Sequence, residues 1–95
     1  MTGASRSISQ VRVYAGALAK RLADEAGADS AANVRLGYEY TLSRSPDADE
    51  LAAGLEFVAQ QTERYRNDGK PRPAELALTD FCQTLFSLSE FIFVD

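Results

Sequence analysis

Histidine is absent from this 95-residue chain, and cysteine occurs once. The missing histidine removes the commonest metal ligand and the commonest general base near neutral pH. It also excludes a histidine-ligated haem and the haem-attachment motif that ends in His. A lone cysteine, Cys82, allows no internal disulfide. No apolar run is long enough for a signal peptide or a membrane span, so the chain reads as soluble, with no membrane partner and no export signal of its own. A basic cluster is also lacking. Ten Lys and Arg are scattered among fourteen Asp and Glu, for a net charge of −4, which argues against nucleic acid as a partner. Gly54 and Gly69 stand alone, so there is no phosphate-cradling loop. Internal repeats and low-complexity segments are missing too.

What is present describes an ordinary globular domain. The chain is 45% hydrophobic and 25% charged, and its length suits one domain with a core that needs neither disulfide nor metal. Its sharpest local signal is Leu42-Ser43-Arg44-Ser45-Pro46-Asp47-Ala48-Asp49-Glu50-Leu51. Pro46 disfavours helical backbone at Ser45, so a helix ending near Ser43 or Arg44 cannot continue. Asp47 is placed to cap a new helix, with Glu50 three residues on to reach back in a capping box. Two helices therefore meet at a corner.

Apolar spacing predicts four helices. Met1 to Ser7 read as a frayed start. Ile8, Val11, Ala15, Leu18, Leu22 and Ala26 predict a helix from about Ser7, its N-cap, to Ala26, closed by Gly27. Asp29 or Ser30 would cap a second helix from about Ala31 to Ser43. Val34, Gly37, Tyr38, Thr41 and Leu42 share its inner face, and Gly37 there permits close helix approach. Leu51, Gly54, Leu55, Val58, Thr62 and Tyr65 predict a third helix from about Ala48 to Asn67. Its acids at the start and Arg64 and Arg66 at the end suit the helix dipole. After the loop Asp68 to Pro73, a fourth stripe of Leu78, Phe81, Cys82, Leu85 and Leu88 extends towards Ile92, with Pro73 in the first turn. Glu90 to Asp95 would then fray into an extended tail. The expected architecture is all-α, a four-helix bundle-like module with short loops, spanning residues 1–95 as a single domain.

Few residues offer chemistry. Asp47, Asp49 and Glu50 lack the spread and central glycine of a calcium loop and read as a helix cap. Cys82 lies on an apolar stripe without an activating base and reads as a buried structural thiol. Ser43, Ser45, Ser87 and Ser89 have no base to activate them. No cofactor and no catalytic residue is expected. Tyr40, Phe57, Phe86 and Phe93 fall off the main stripes. They belong either to a broad core or to an apolar patch that docks another domain. Of the apolar run Phe91 to Val94, at least Phe91 and Ile92 are expected to pack onto the bundle, against the second helix near Tyr38 and Leu42.

From about Tyr14 onward the chain resembles the C-terminal domain of a family of planctomycete-type exported proteins of unknown function, which often carry a cytochrome c-like domain. The resemblance rests on Ala17-Leu18-Ala19-Lys20-Arg21-Leu22, and on Val34-Arg35-Leu36-Gly37-Tyr38 leading to the Pro46 corner. It also rests on the ending Asp80 to Asp95, similar to the family's Asn-Glu-Phe-Leu-Tyr-Val-Asp tail. This chain has Ser87 and Ser89 where the family usually has Asn, and Ser43 where it often has Gly. The resemblance implies a detached C-terminal module whose parent proteins are exported, to the periplasm, and it transfers no redox chemistry.

The expectation is thus a non-catalytic helical module that packs against other domains of a parent protein or a protein partner. An accessory part of a parent enzyme's active site, acting on polysaccharide or redox substrates, is the alternative. A weaker third is an acidic cytoplasmic regulator that forms a homodimer. Arg44, Asp80, Glu90, Phe91 and Phe93 are the motif or interaction residues to locate. Convergence of the three charged ones in a concavity would favour the enzyme reading.

Overall fold

The structure, a computed structural model, describes the backbone from Gly3 to Phe93 and the side chains from Gln10 to Ser89. Four helices follow one another: α1 (Gly3–Ala26), α2 (Ser30–Leu42), α3 (Ala48–Asn67) and α4 (Pro73–Phe93). No strand occurs among the described residues. The all-α bundle expected from the apolar spacing is therefore observed.

The helix ends are set by local chemistry. Gly27, at φ 66°, stops α1 and donates its N–H to the Ala23 carbonyl. Asp29 caps α2 through the Ala32 N–H, which settles the choice between Asp29 and Ser30. At the corner, Asp47 accepts from the Glu50 N–H at 2.8 Å, and Glu50 accepts from the Asp47 N–H at 3.0 Å. Both halves of the capping box are present. Ser43 closes α2 in the left-handed region, at φ 58°. Pro73 opens α4, where its missing N–H has no intrahelical partner to lose.

Two ends differ from expectation. α1 begins at Gly3, so Ser7 lies inside the helix and is not its N-cap, and Gly3 to Ser7 are helical. Ala4 and Arg6 are good helix formers and nothing between Gly3 and Ile8 breaks the helix, so it runs on towards the N-terminus. α4 likewise continues to Phe93 instead of giving way at Glu90 to an extended tail, since no Gly or Pro interrupts it.

α4 is the central element. Ala77, Leu78, Phe81, Cys82 and Leu85 are all buried, and it packs on the other three helices. It runs antiparallel to α3, with Asp80 beside Gln61 and Leu88 across from Glu50. It is also antiparallel to α1, with Asp80 beside Arg12 and Pro73 near Gly27. From α1 come Ala15, Ala19 and Leu22, and from α2 Val34 and Tyr38.

Glycines let α2 and α3 each approach α4 closely. A Cβ at Gly37 would stand 3.0 Å from Leu85 Cδ1, and one at Gly54 would stand 3.0 Å from Val34 Cγ1 and 3.2 Å from Phe81 Cε1. Phe81 thus fills the space left by two absent side chains, with Tyr38 and Phe57 tilted against it at centroid distances of 6.3 and 6.5 Å.

Leu88 departs from its expected place in the stripe and is 44% exposed. It borders an open pocket of about 240 Å³ that it shares with Glu50, Ala53 and Gly54 of α3. Phe57 and Phe86 are partly buried against the core, as a broad core requires, whereas Tyr40 is exposed.

Candidate functional site

The polar interior of the bundle is built around Asp80. Its position on α4, one residue before buried Phe81, turns a carboxylate towards both α1 and α3. Oδ1 accepts from Arg12 Nη1 at 2.6 Å, and Oδ2 accepts from Gln61 Nε2 and Tyr65 Oη, each at 2.8 Å. Arg12 Nη1 also donates to Gln83 Oε1 at 3.0 Å. Three helices are joined by one carboxylate whose side chain is 15% exposed.

Electrostatics follow from this crowding. Burial pushes the Asp80 carboxyl up, but the bonds from Arg12, Tyr65 and Gln61 outweigh it, and the group titrates below its ordinary range. The same contact with Asp80 raises Arg12 and Tyr65. Asp80 is therefore held as an anion at neutral pH, with both oxygens accepting hydrogen bonds. Beside it runs a polar groove of about 350 Å³ lined by Phe57, Gln61, Asp80, Gln83, Thr84 and Ser87.

Arg44 belongs to a different place. Its guanidinium forks onto Glu50 at 2.8 and 2.9 Å, donates to the Ser45 carbonyl at 3.2 Å, and lies 5.5 Å from the centre of the Tyr38 ring. Arg44 first, and the Asp47 N–H second, hold the Glu50 carboxyl down at about 2. Arg44 is a brace for the Pro46 corner. It shares no bonding partner with Asp80, so these two charges do not form one site. The backbone of Glu90, Phe91 and Phe93 continues α4, while the side chains of these three residues, and the packing expected for Phe91 and Ile92, lie outside the described residues.

Cys82 is fully buried, and burial pushes its thiol up to about 12. A thiolate is the reactive form, so burial disfavours reaction at this cysteine in the folded state. Among the described residues, no three Asp, Glu or Cys side chains stand together as metal ligands would, and no helix is long and apolar enough to cross a membrane.

Sequence reasoning did not single out Arg12, Gln61, Tyr65 and Gln83 as a group. They lie up to 71 residues apart, and no local spacing links them. The available signal was Asp80 itself, an acid wedged into a run of core residues, which demands partners. The outer surface carries Val13, 67% exposed, next to Tyr14, 58% exposed, both on α1. Tyr40 on α2 is tied down at the surface, donating to Glu25 with Arg21 stacked 4.7 Å from its ring centre. Set against protein-family models, curated proteins and solved structures, the chain matches none.

Proposed function

We propose that this chain is a non-catalytic helical module that packs against other domains of a larger parent protein or against a protein partner. The observation that carries this reading is a contrast. The main charged groups are occupied by each other: Asp80 accepts on both oxygens, and the fork of Arg44 is filled by Glu50. Large apolar side chains, meanwhile, face outward at Val13, Tyr14 and Leu88. A single exposed apolar residue means little, but an adjacent pair on one helix suits a contact surface.

The parent suggested by resemblance is the planctomycete-type exported family that often carries a cytochrome c-like domain. One local feature supports it. Ser43 adopts φ 58°, a conformation in which the glycine common at that place in the family is unstrained. The test is co-expression of this chain with the remaining domains of such a parent as a separate polypeptide. Co-elution that Val13→Asp and Tyr14→Asp weaken supports the reading. Elution of the two polypeptides apart counts against it.

A second reading, an accessory part of an active site acting on polysaccharide, has the polar groove in its favour. An aromatic edge at Phe57 beside Gln61, Gln83 and Thr84 is suited to hydroxyl-rich ligands. Titration calorimetry with oligosaccharides separates the two. Saturable heat that is lost in Gln83→Ala would favour the groove.

A further inference from the structure

We propose, on the reading of the polar groove as a site for hydroxyl-rich ligands, that its ligand is an amphiphile: a neutral hydroxylated head carrying a short alkyl tail. The groove does not end at its polar residues. Phe57 and Thr84 line it, and both also line a second hollow of about 240 Å³ on the same α3–α4 seam. The first hollow, of about 350 Å³, is walled by Gln61, Asp80 and Gln83. The second is walled mainly by apolar side chains, Tyr38, Ala53, Phe81 and Leu88 among them. Together they make one trough with a polar half and an apolar half, and exposed Leu88 is a wall of the apolar half.

The polar half selects the head by hydrogen bonding. Gln61 spends its Nε2 on Asp80, and Gln83 spends its Oε1 on Arg12, which fixes the end of each amide that stays available. Among the described residues, Gln61 Oε1 and Gln83 Nε2 have no partner, which leaves one acceptor and one donor. A hydroxyl both donates and accepts, so a sugar-like head can answer the two together. Charge selects against ionic heads. The two carboxylates in the lining, Asp80 and Glu50, are already paired with Arg12 and Arg44. A cationic head would compete with those arginines. An anionic head would lie against two acids, with no Lys or Arg in the lining among the described residues.

The test is titration calorimetry on the whole chain with methyl glucoside and with octyl glucoside, the second kept below its micelle concentration. Octyl glucoside should bind at least about tenfold more tightly, the gain from burying about two methylenes. Ala53→Leu fills the apolar half from an exposed helical position and should abolish the advantage of the tail, with methyl glucoside unaffected. Gln83→Ala should weaken both glucosides alike, by about threefold or more. Equal affinity for the two glucosides would overturn the amphiphile and leave the hydroxyl-binding groove standing. An octyl advantage that survives Ala53→Leu would place the tail elsewhere, with the same consequence. Octanol or octyl sulfate binding as tightly as octyl glucoside would show that only the tail is recognised, and would overturn both the amphiphile and the groove. So would the absence of saturable heat with either glucoside.

Discussion

Asp80 and Phe81 are neighbours on α4, yet one is held by named partners and the other by volume. Phe81 sits where Gly37 and Gly54 leave room, against Tyr38 and Phe57, and any side chain of its shape would answer. Asp80 needs Arg12, Gln61 and Tyr65 in particular places, and no residue of similar size and different chemistry would serve. The apolar seam supplies most of the cohesion, and the polar one fixes which helix faces which.

The largest effect that would test this division is at the apolar seam. Phe81→Ala should cost about 3–5 kcal/mol, read as a fall in the urea midpoint with little change in slope. A loss below about 1 kcal/mol would mean that Phe81 is not the keystone of that seam. Asp80→Asn should cost less, about 1.5–3 kcal/mol at neutral pH, because it removes a charged acceptor and leaves the volume intact. Its signature is pH. The folded-state pKa of Asp80 lies below its ordinary 3.8, so the charged form stabilises the fold fully above that value. This contribution disappears as pH falls through the lowered pKa. The gap between wild type and Asp80→Asn should therefore hold steady from pH 5 to 7 and narrow below about pH 4. A gap that does not vary with pH would assign the effect to packing.

Smaller effects sharpen the comparison at the corner, where local chemistry replaces both seams. Asp47→Ala should cost about 1 kcal/mol in thermal or urea unfolding, the usual penalty for a lost N-cap. An unchanged midpoint would remove the capping box from the account. Ser43→Gly should stabilise by about 0.5 kcal/mol, since relief of left-handed strain exceeds the added freedom of the unfolded chain. Destabilisation there would show that the Ser43 side chain contributes more than its backbone strain costs.

The corner was legible because its signals lie within ten residues. Pro46, Asp47 and Glu50 state the turn and the cap with no reference to the rest of the chain. The helices were legible for the same reason, through periodicity. Errors arose where tertiary context decides. Leu88 continues the spacing of Phe81 and Leu85, but it borders an open pocket and stays 44% exposed. Ser7 has the chemistry of a cap, yet the helix runs past it to Gly3. Asp80 stands out in the sequence as an acid among core residues, and its partners do not, because Arg12 lies 68 residues away. Arg44 belongs to the Pro46 corner and has a wholly local role.

The central position of α4 also bears on how the molecule comes into being on the ribosome. It is the last of the four helices in chain order, yet α1 and α3 pack mainly against it. While α1, α2 and α3 are being made, Ala19, Leu22 and Gly54 have no Leu85 or Phe81 to meet. Isolated helices of these lengths are marginal in water, so the nascent chain should remain loosely helical until α4 emerges. A chain stopped after Asn67 should then show no slowly exchanging amides, whereas the same stretch in the whole protein should be protected. Folding of this domain would wait for the synthesis of α4, and until then the growing chain would expose the apolar stripes of α1, α2 and α3 to chaperones.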